Sequence, residues 1–213
     1  MKRLLVCFVF ALFSALVQAD TYDDLLKSVK TGDVSGVVDL LRRGVDVDTT
    51  DPEGNTLLII AAREGHEPMV ELLLAQLPKL NARNSAGDSA LRLAAIGGKT
   101  GIVKKLVAAG ARVNTPDWTP LIYACFGNHI EIVRYLIEMK ADVNAASENG
   151  TTALMVASSQ GQIEIVRLLL NAGADPNKMR ENGETALDMT LKTRNEEIAG
   201  LLRARGAKAG KPR

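Results

Sequence analysis

Apolar and polar positions along the chain follow one scheme that repeats. A stretch with Leu in third place and small residues near its end runs TLLIIAA from Thr56, SALRLAA from Ser89, TPLIYAC from Thr119, TALMVAS from Thr152 and TALDMTL from Thr185. These starts lie 33, 30, 33 and 33 residues apart, and DDLLKSV from Asp23 fits one period upstream, making six units. A fixed period of this length marks stacked structural repeats. Each stretch predicts a first short helix. A second follows it with apolar residues at helical spacing, as in Val70, Leu73 and Leu74 after Gly65-His66, or Val166, Leu169 and Leu170 after Gly161-Gln162. Gly44, Gly110 and Gly173 close three of these second helices. Leu77 and Lys140 stand where that glycine belongs, so two helices are expected to end differently. Asp46, Asp48, Asn114, Asp142, Asn144, Asp175 and Asn177 supply turn chemistry, with tips at Asp51 to Gly54, Ser147 to Gly150 and Arg180 to Gly183. Helices of two or three turns are marginal alone, so each unit must bury its apolar face against its neighbours.

The scheme resembles the ankyrin repeat, whose Gly hairpin tip, Thr-Pro-Leu-His, Ala-Ala, Gly-His, Val-x-x-Leu-Leu, Gly-Ala and Asn run through most of residues 21 to 207. The resemblance implies an all-α solenoid of about six helix-turn-helix units of about 33 residues, joined by β-hairpin fingers, over residues 20–207. Two departures stand out. The family's Thr-Pro survives only at Thr119-Pro120, and its fourth-position His is replaced by Leu26, Ile59, Arg92, Ile122, Met155 and Asp188. The Thr-His hydrogen-bond network is therefore expected to be missing and the array less rigid. The step of 30 removes three residues between Asn114 and Thr119 and shortens the fourth finger to Thr115-Pro116-Asp117-Trp118.

The ends have a different character. Residues 1–19, MKRLLVCFVFALFSALVQA, combine Lys2 and Arg3, an apolar run from Leu4 to Val17 and a small-x-small site at Val17-Gln18-Ala19. These are the three parts of a cleavable secretory signal. The 14-residue run is shorter than the roughly 20 residues a membrane-spanning helix needs. Cleavage after Ala19 is expected to place the chain in a bacterial periplasm, with secretion beyond the cell as the alternative. Lys27 and Lys30 in unit one, and Lys192, Arg194, Arg203 and Arg205 in unit six, give the terminal units the polar outer faces that caps need. Residues 208–213 are expected to be a disordered basic tail.

Composition narrows the function. Lys and Arg number 26 against 25 Asp and Glu, and removal of Lys2 and Arg3 leaves 24 against 25. No cationic surplus exists for binding nucleic acid or an anionic membrane. Two His provide little material for a metal site, and neither a phosphate-binding loop nor a nucleophile elbow is present. Cys7 leaves with the signal, so Cys125 is the only cysteine of the processed chain and forms no internal disulfide. Cys125 is a nucleophile candidate with His129 four residues on, but it fills the second place of the Ala-Ala pair, where a small buried side chain packs. No catalytic residue, metal or cofactor is expected.

A surface remains. In the ankyrin family, partners meet the hairpin tips and the exposed end of the first helix. The corresponding positions are Glu53, Asn55, Arg63 and Glu64 in unit two, Asp88 and Ile96 in unit three, Trp118 and Phe126 in unit four, and Ser159 and Gln160 in unit five. Trp118, Phe126 and Ile96 are expected to form an apolar patch at the centre of the concave side, since exposed aromatics are enriched among binding hot spots. Trp118 has a second possible role, folding over the gap left by the missing residues. The resemblance thus implies a non-enzymatic module, monomeric when free, that binds another protein through its concave face and tips. Inhibition or immunity toward a periplasmic enzyme, accessory service to one, action on host proteins, and redox chemistry at Cys125 are the alternatives.

Overall fold

The structure is a computed structural model that describes residues 21–210; the expected signal at 1–19 and the last three residues of the tail lie outside them. Described residues form twelve helices. They are α1 (21–31), α2 (Val34–Arg42), α3 (Leu57–Glu64), α4 (Glu67–Leu74), α5 (Ala90–Ile96), α6 (Thr100–Ala108), α7 (Pro120–Phe126), α8 (Ile130–Glu138), α9 (Ala153–Ser159), α10 (Ile163–Asn171), α11 (Ala186–Thr193) and α12 (Glu196–Ala204). The residue that opens each repeat caps its first helix. Thr56, Ser89, Thr119, Thr152 and Thr185 accept hydrogen bonds through their hydroxyls from the backbone N–H of Ile59, Arg92, Ile122, Met155 and Asp188. Capping satisfies a donor that the helix start leaves orphaned.

From α3 onward each odd-numbered helix packs on the next odd one, and from α2 onward each even-numbered helix on the next even one. Ala61-Ala62, Ala94-Ala95, Ala124-Cys125 and Ala157-Ser158 are all buried along the odd row. Small side chains there permit a closer approach than the Val- and Leu-rich even row, a difference that bends a stacked array toward its odd helices and fingers. A continuous core results: Leu58, Leu91, Leu121 and Leu154 from the odd row stack with Val70, Val103, Val133 and Val166 from the even row.

The second helices turn alike, against expectation, although Pro78 has no N–H to make the closing bond after Leu77. Leu77 (φ 55°) and Lys140 (φ 63°) adopt the left-handed conformation that Gly44, Gly110 and Gly173 adopt at 89°, 94° and 89°. At Lys140 the closing bonds reproduce those of Gly110: Ala141 N–H to Leu136 O at 2.9 Å, as Ala111 N–H to Leu106 O at 2.9 Å. Stacking imposes the same path on every unit and overrides the steric cost of a β-carbon there, about 1–2 kcal/mol.

Between units, one side chain per repeat bridges forward. Asp48 accepts from Lys79 N–H, Asn81 from Arg112, Asn114 from Asp142, Asn144 from Asp175 and Asn177 from Lys208, at 2.7–2.9 Å. Asn114, Asn144 and Asn177 also donate to the carbonyls of Lys140, Gly173 and Gly206. On the helices, His66, His129 and Gln162 bond the backbone carbonyls of Lys30, Ile96 and Cys125 in the preceding unit. These contacts tie stacked units where apolar packing alone would leave polar backbone unsatisfied. The expected disorder of the tail fails for residues 208–210. Lys208 N–H bonds Asn177 and Gly210 N–H bonds the Asp188 carboxylate at 2.7 Å, so the tail takes the place of a further unit's first residues.

Candidate interface on the concave side

The fingers are tight turns, not strand pairs. Asp51 N–H bonds Asn55 O and Gly54 N–H bonds Asp51 O, and the pattern repeats at Asn84 to Asp88, Ser147 to Thr151 and Arg180 to Glu184. Isolated bridges join only Thr50 to Thr56 and Ala146 to Thr152 among the described residues. Fingers two and three are stitched by Ser85 N–H to Glu53 O, and fingers five and six by Glu181 N–H to Asn149 O. The fourth finger is too short to join either pair. It turns back at Asp117, which takes φ 63°, and a cavity of about 580 Å³ opens between fingers three and five.

Trp118 stands at that turn, half-buried against the core. Its ring centre lies 5.7 Å from Tyr123 and 6.1 Å, edge-on, from Phe126, which remains 51% exposed. Such geometries are favourable for aromatic pairs. On its other side Trp118 and Phe126 border a second groove of about 350 Å³, floored by Met155 and Met189, with Ser159 and Gln160 along it. Trp118 thus divides two cavities. It stands at the gap left by the missing residues and lines the open surface on both sides.

Arg92 fixes this arrangement. It occupies the fourth position of its unit, where Ile59, Ile122 and Met155 are buried apolar residues in theirs, and it is itself 3% exposed. Its Nε donates to the Trp118 carbonyl and its Nη1 to the Gly87 carbonyl, while its guanidinium sits 5.3 Å over the Tyr123 ring. Asp88 lies 3.9 Å away and accepts from the Tyr123 hydroxyl at 2.9 Å. Burial pulls the Arg92 pKa down, and burial with the Asp88 bond pushes the Tyr123 phenol up. The missing Thr-His network is thus replaced in unit three by a guanidinium reaching from α5 to the fourth finger.

Of the surface residues expected from the sequence, Trp118, Phe126, Ser159 and Gln160 line the groove. Ile96 does not join them: it borders neither cavity, and its carbonyl accepts from His129. Asn55 is not a surface residue. It is 3% exposed because its amide and backbone donate to Asp51 while its carbonyl accepts from Asn84, a core for the second finger. Asp88 is committed to Tyr123 and Arg92 in the same way. Arg63 and Glu64 are exposed and pair with each other at 3.0 Å, outside both cavities, and exposed Glu53 uses its carbonyl on Ser85. Arg92, Tyr123, Met155 and Met189 enter the site without having been singled out for it. The signal for Arg92 lay in its position: a cation where other units bury apolar side chains must find partners inside.

At the groove's far rim Glu184 is held by Lys192, by Asn182 at 2.9 Å and by Arg180 at 3.8 Å, and the Lys192 bond leads in drawing its carboxyl pKa down. Cys125 is fully buried and desolvation pushes its thiol pKa far up, while His129 faces Ile96 and not the sulfur's chemistry. A thiol in that state is a poor nucleophile. No three His, Cys, Asp or Glu gather as a metal site, and no helix is long and apolar enough to cross a membrane, among the described residues.

Stacked helix pairs, capped in register and presenting fingers along a concave face, define a repeat scaffold for binding other macromolecules. The family described as ankyrin repeats (3 copies) matches residues 25–117, 115–180 and 149–212, and the chain belongs to it. Ankyrin repeats mediate protein–protein interaction, and the family is generally non-enzymatic. The nuclear factor NF-kappa-B p105 subunit of Gallus gallus is 30% identical over 141 residues, 62% of this chain and 14% of its own. Potassium channel AKT2/3 of Arabidopsis thaliana is 31% identical over 147 residues, 68% of this chain and 18% of its own. The chain spans less than a fifth of the length of these curated relatives. Among solved structures, a chain in the complex of the Bd0816 predatory endopeptidase from Bdellovibrio bacteriovorus with immunity protein Bd3460 superposes with a TM-score of 0.77. It is 27% identical, and the match covers 85% of this chain and 97% of that one.

Proposed function

We propose that this chain is a non-enzymatic binding protein that grips a partner enzyme through its concave centre and restrains it, in the manner of an immunity protein. The observation that carries this reading is the break in the row of fingers, where Trp118 and the half-exposed Phe126 stand between two open cavities. Large aromatics at the centre of a concave surface, ringed by polar groups, are the usual anchors of protein partners. The near full-length likeness to a chain of the endopeptidase–immunity protein complex supports an enzyme as the partner. Residues 1–19 direct the chain across the inner membrane and are removed after Ala19, so the encounter takes place in the periplasm.

The test is affinity capture by the tagged chain from the envelope of its own cells, followed by assay of what is captured. An exported enzyme whose activity falls on stoichiometric addition of the chain is expected. Trp118→Ala should weaken that complex by about 2 kcal/mol or more, some thirtyfold, with the helix content kept. Unchanged affinity with a lowered melting temperature would leave Trp118 as packing only and refute the interface. Sequencing of the N-terminus should begin at Asp20.

A further inference from the structure

The cavity left by the short fourth finger differs chemically from the groove across Trp118. Two guanidinium groups converge there on one acceptor: Arg83 Nε donates to the Gly87 carbonyl at 2.6 Å, and Arg92 Nη1 donates to the same oxygen. Arg92 carries its charge in a side chain only 4% exposed. Each guanidinium has one carboxylate in ion-pair range, and neither pair is joined by a hydrogen bond. Asp88 stays 3.9 Å from Arg92 Nη1 and is held by the Tyr123 hydroxyl, while Asp117 stays 3.8 Å from Arg83 Nη2. Arg92 Nη2 makes no hydrogen bond among the described residues and is not sealed from water, and Arg92 lines the cavity. Glu148, at the rim, is exposed and makes no ion pair among the described residues. A guanidinium whose ion pair is this long keeps donors for a better-placed partner, and its fork matches a carboxylate in two parallel hydrogen bonds.

We infer that this notch receives a carboxylate side chain, Asp or Glu, presented by the bound protein. The inference rests on the reading of the chain as a partner-binding module and adds the chemistry of what the partner inserts. The carboxylate bridges Arg92 and Arg83, and the Trp118 and Tyr123 rings wall the aliphatic stem. At about 580 Å³ the cavity has room for one such side chain with water around it.

Trp118 is the only tryptophan of the chain, so its emission reports on the notch directly. Titration with an acetylated, amidated Ala-Glu-Ala tripeptide is expected to change that emission saturably, whereas the Ala-Gln-Ala peptide at equal concentration leaves it unchanged. Arg83→Gln, on an exposed finger, should weaken the response at least fivefold with the melting curve kept; Glu148→Gln, which removes the competing rim acid, should strengthen it. Equal responses to the two peptides, or an Arg83→Gln variant that binds like the wild type, would overturn the inference. Envelope capture separates it from the wider reading. A partner lost by Trp118→Ala but retained in full by Arg83→Gln refutes the carboxylate notch and leaves the binding function standing. A glutamate-specific titration with nothing captured supports the notch and refutes the wider function.

Discussion

Replacement of Arg92 by Met isolates what the buried guanidinium does, because Met fills similar length without donors. Two hydrogen bonds to carbonyls, Trp118 and Gly87, are lost together with the stack on Tyr123 and the nearest cation to Asp88. Hydrogen bonds from a charged donor contribute about 1.5–3 kcal/mol each. The losses are unequal, since Gly87 O keeps Arg83 as a donor and Asp88 keeps Tyr123, whereas the Trp118 carbonyl is left with none. Relief of the desolvation of a buried charge works in the other direction. The balance puts Arg92→Met at about 3 kcal/mol destabilised, the low end for breaking a buried pair. Equilibrium unfolding in urea, read by Trp118 emission and by helical circular dichroism, checks it. A stacked array is coupled mainly through neighbouring units, so weakening the joint between units three and four should make the tryptophan transition precede the helical one. A variant within 1 kcal/mol of the wild type, with coincident transitions, would refute the idea that this guanidinium holds the fourth finger.

Three further outcomes follow from the geometry. Asn144→Ala removes one bond from Asp175 N–H and one to Gly173 O, about 1 kcal/mol each, and should expose the Asp175 amide to faster hydrogen exchange while Asn114 and its partners stay protected. Cys125 should resist a thiol reagent at neutral pH in the native chain and react in full once unfolded, since it is 0% exposed; rapid native labelling would revive a redox role. Burial alone would raise the Asp188 carboxyl, but hydrogen bonds from Thr185 and Gly210 outweigh it and hold the pKa below the ordinary 3.8. A depressed carboxylate stabilises the fold above its unfolded value, and that contribution fades as pH drops below about 3.8 through the folded value. Truncation after Ala207 should therefore shift the Asp188 carboxyl upward in a carbon-13 titration and reduce acid tolerance of the last unit.

Much of this molecule is legible in its linear order because the determinants are local. A Thr or Ser hydroxyl reaches the backbone three residues on, so the start of every first helix from Thr56 to Thr185 can be placed by eye. Gly44, Gly110 and Gly173 mark their turns for the same reason, and the count of 30 announces a short fourth finger and a Trp beside it. Cys125 in a small-residue slot foretells its burial.

What the linear order does not determine lies about thirty positions apart along the chain. Asn144 meets Asp175 across 31 residues and Arg92 meets Trp118 across 26, and only stacking brings them together. The same stacking drives Leu77 and Lys140 into a left-handed turn, hides Asn55 inside a finger and fastens the tail to Asn177 and Asp188. Local order along the chain is enough for the repeat, its caps and its one irregular step. The tertiary structure decided which polar residues hold units together and which stay free for a partner, because a hydrogen bond between units exists only after the apolar faces have chosen their register.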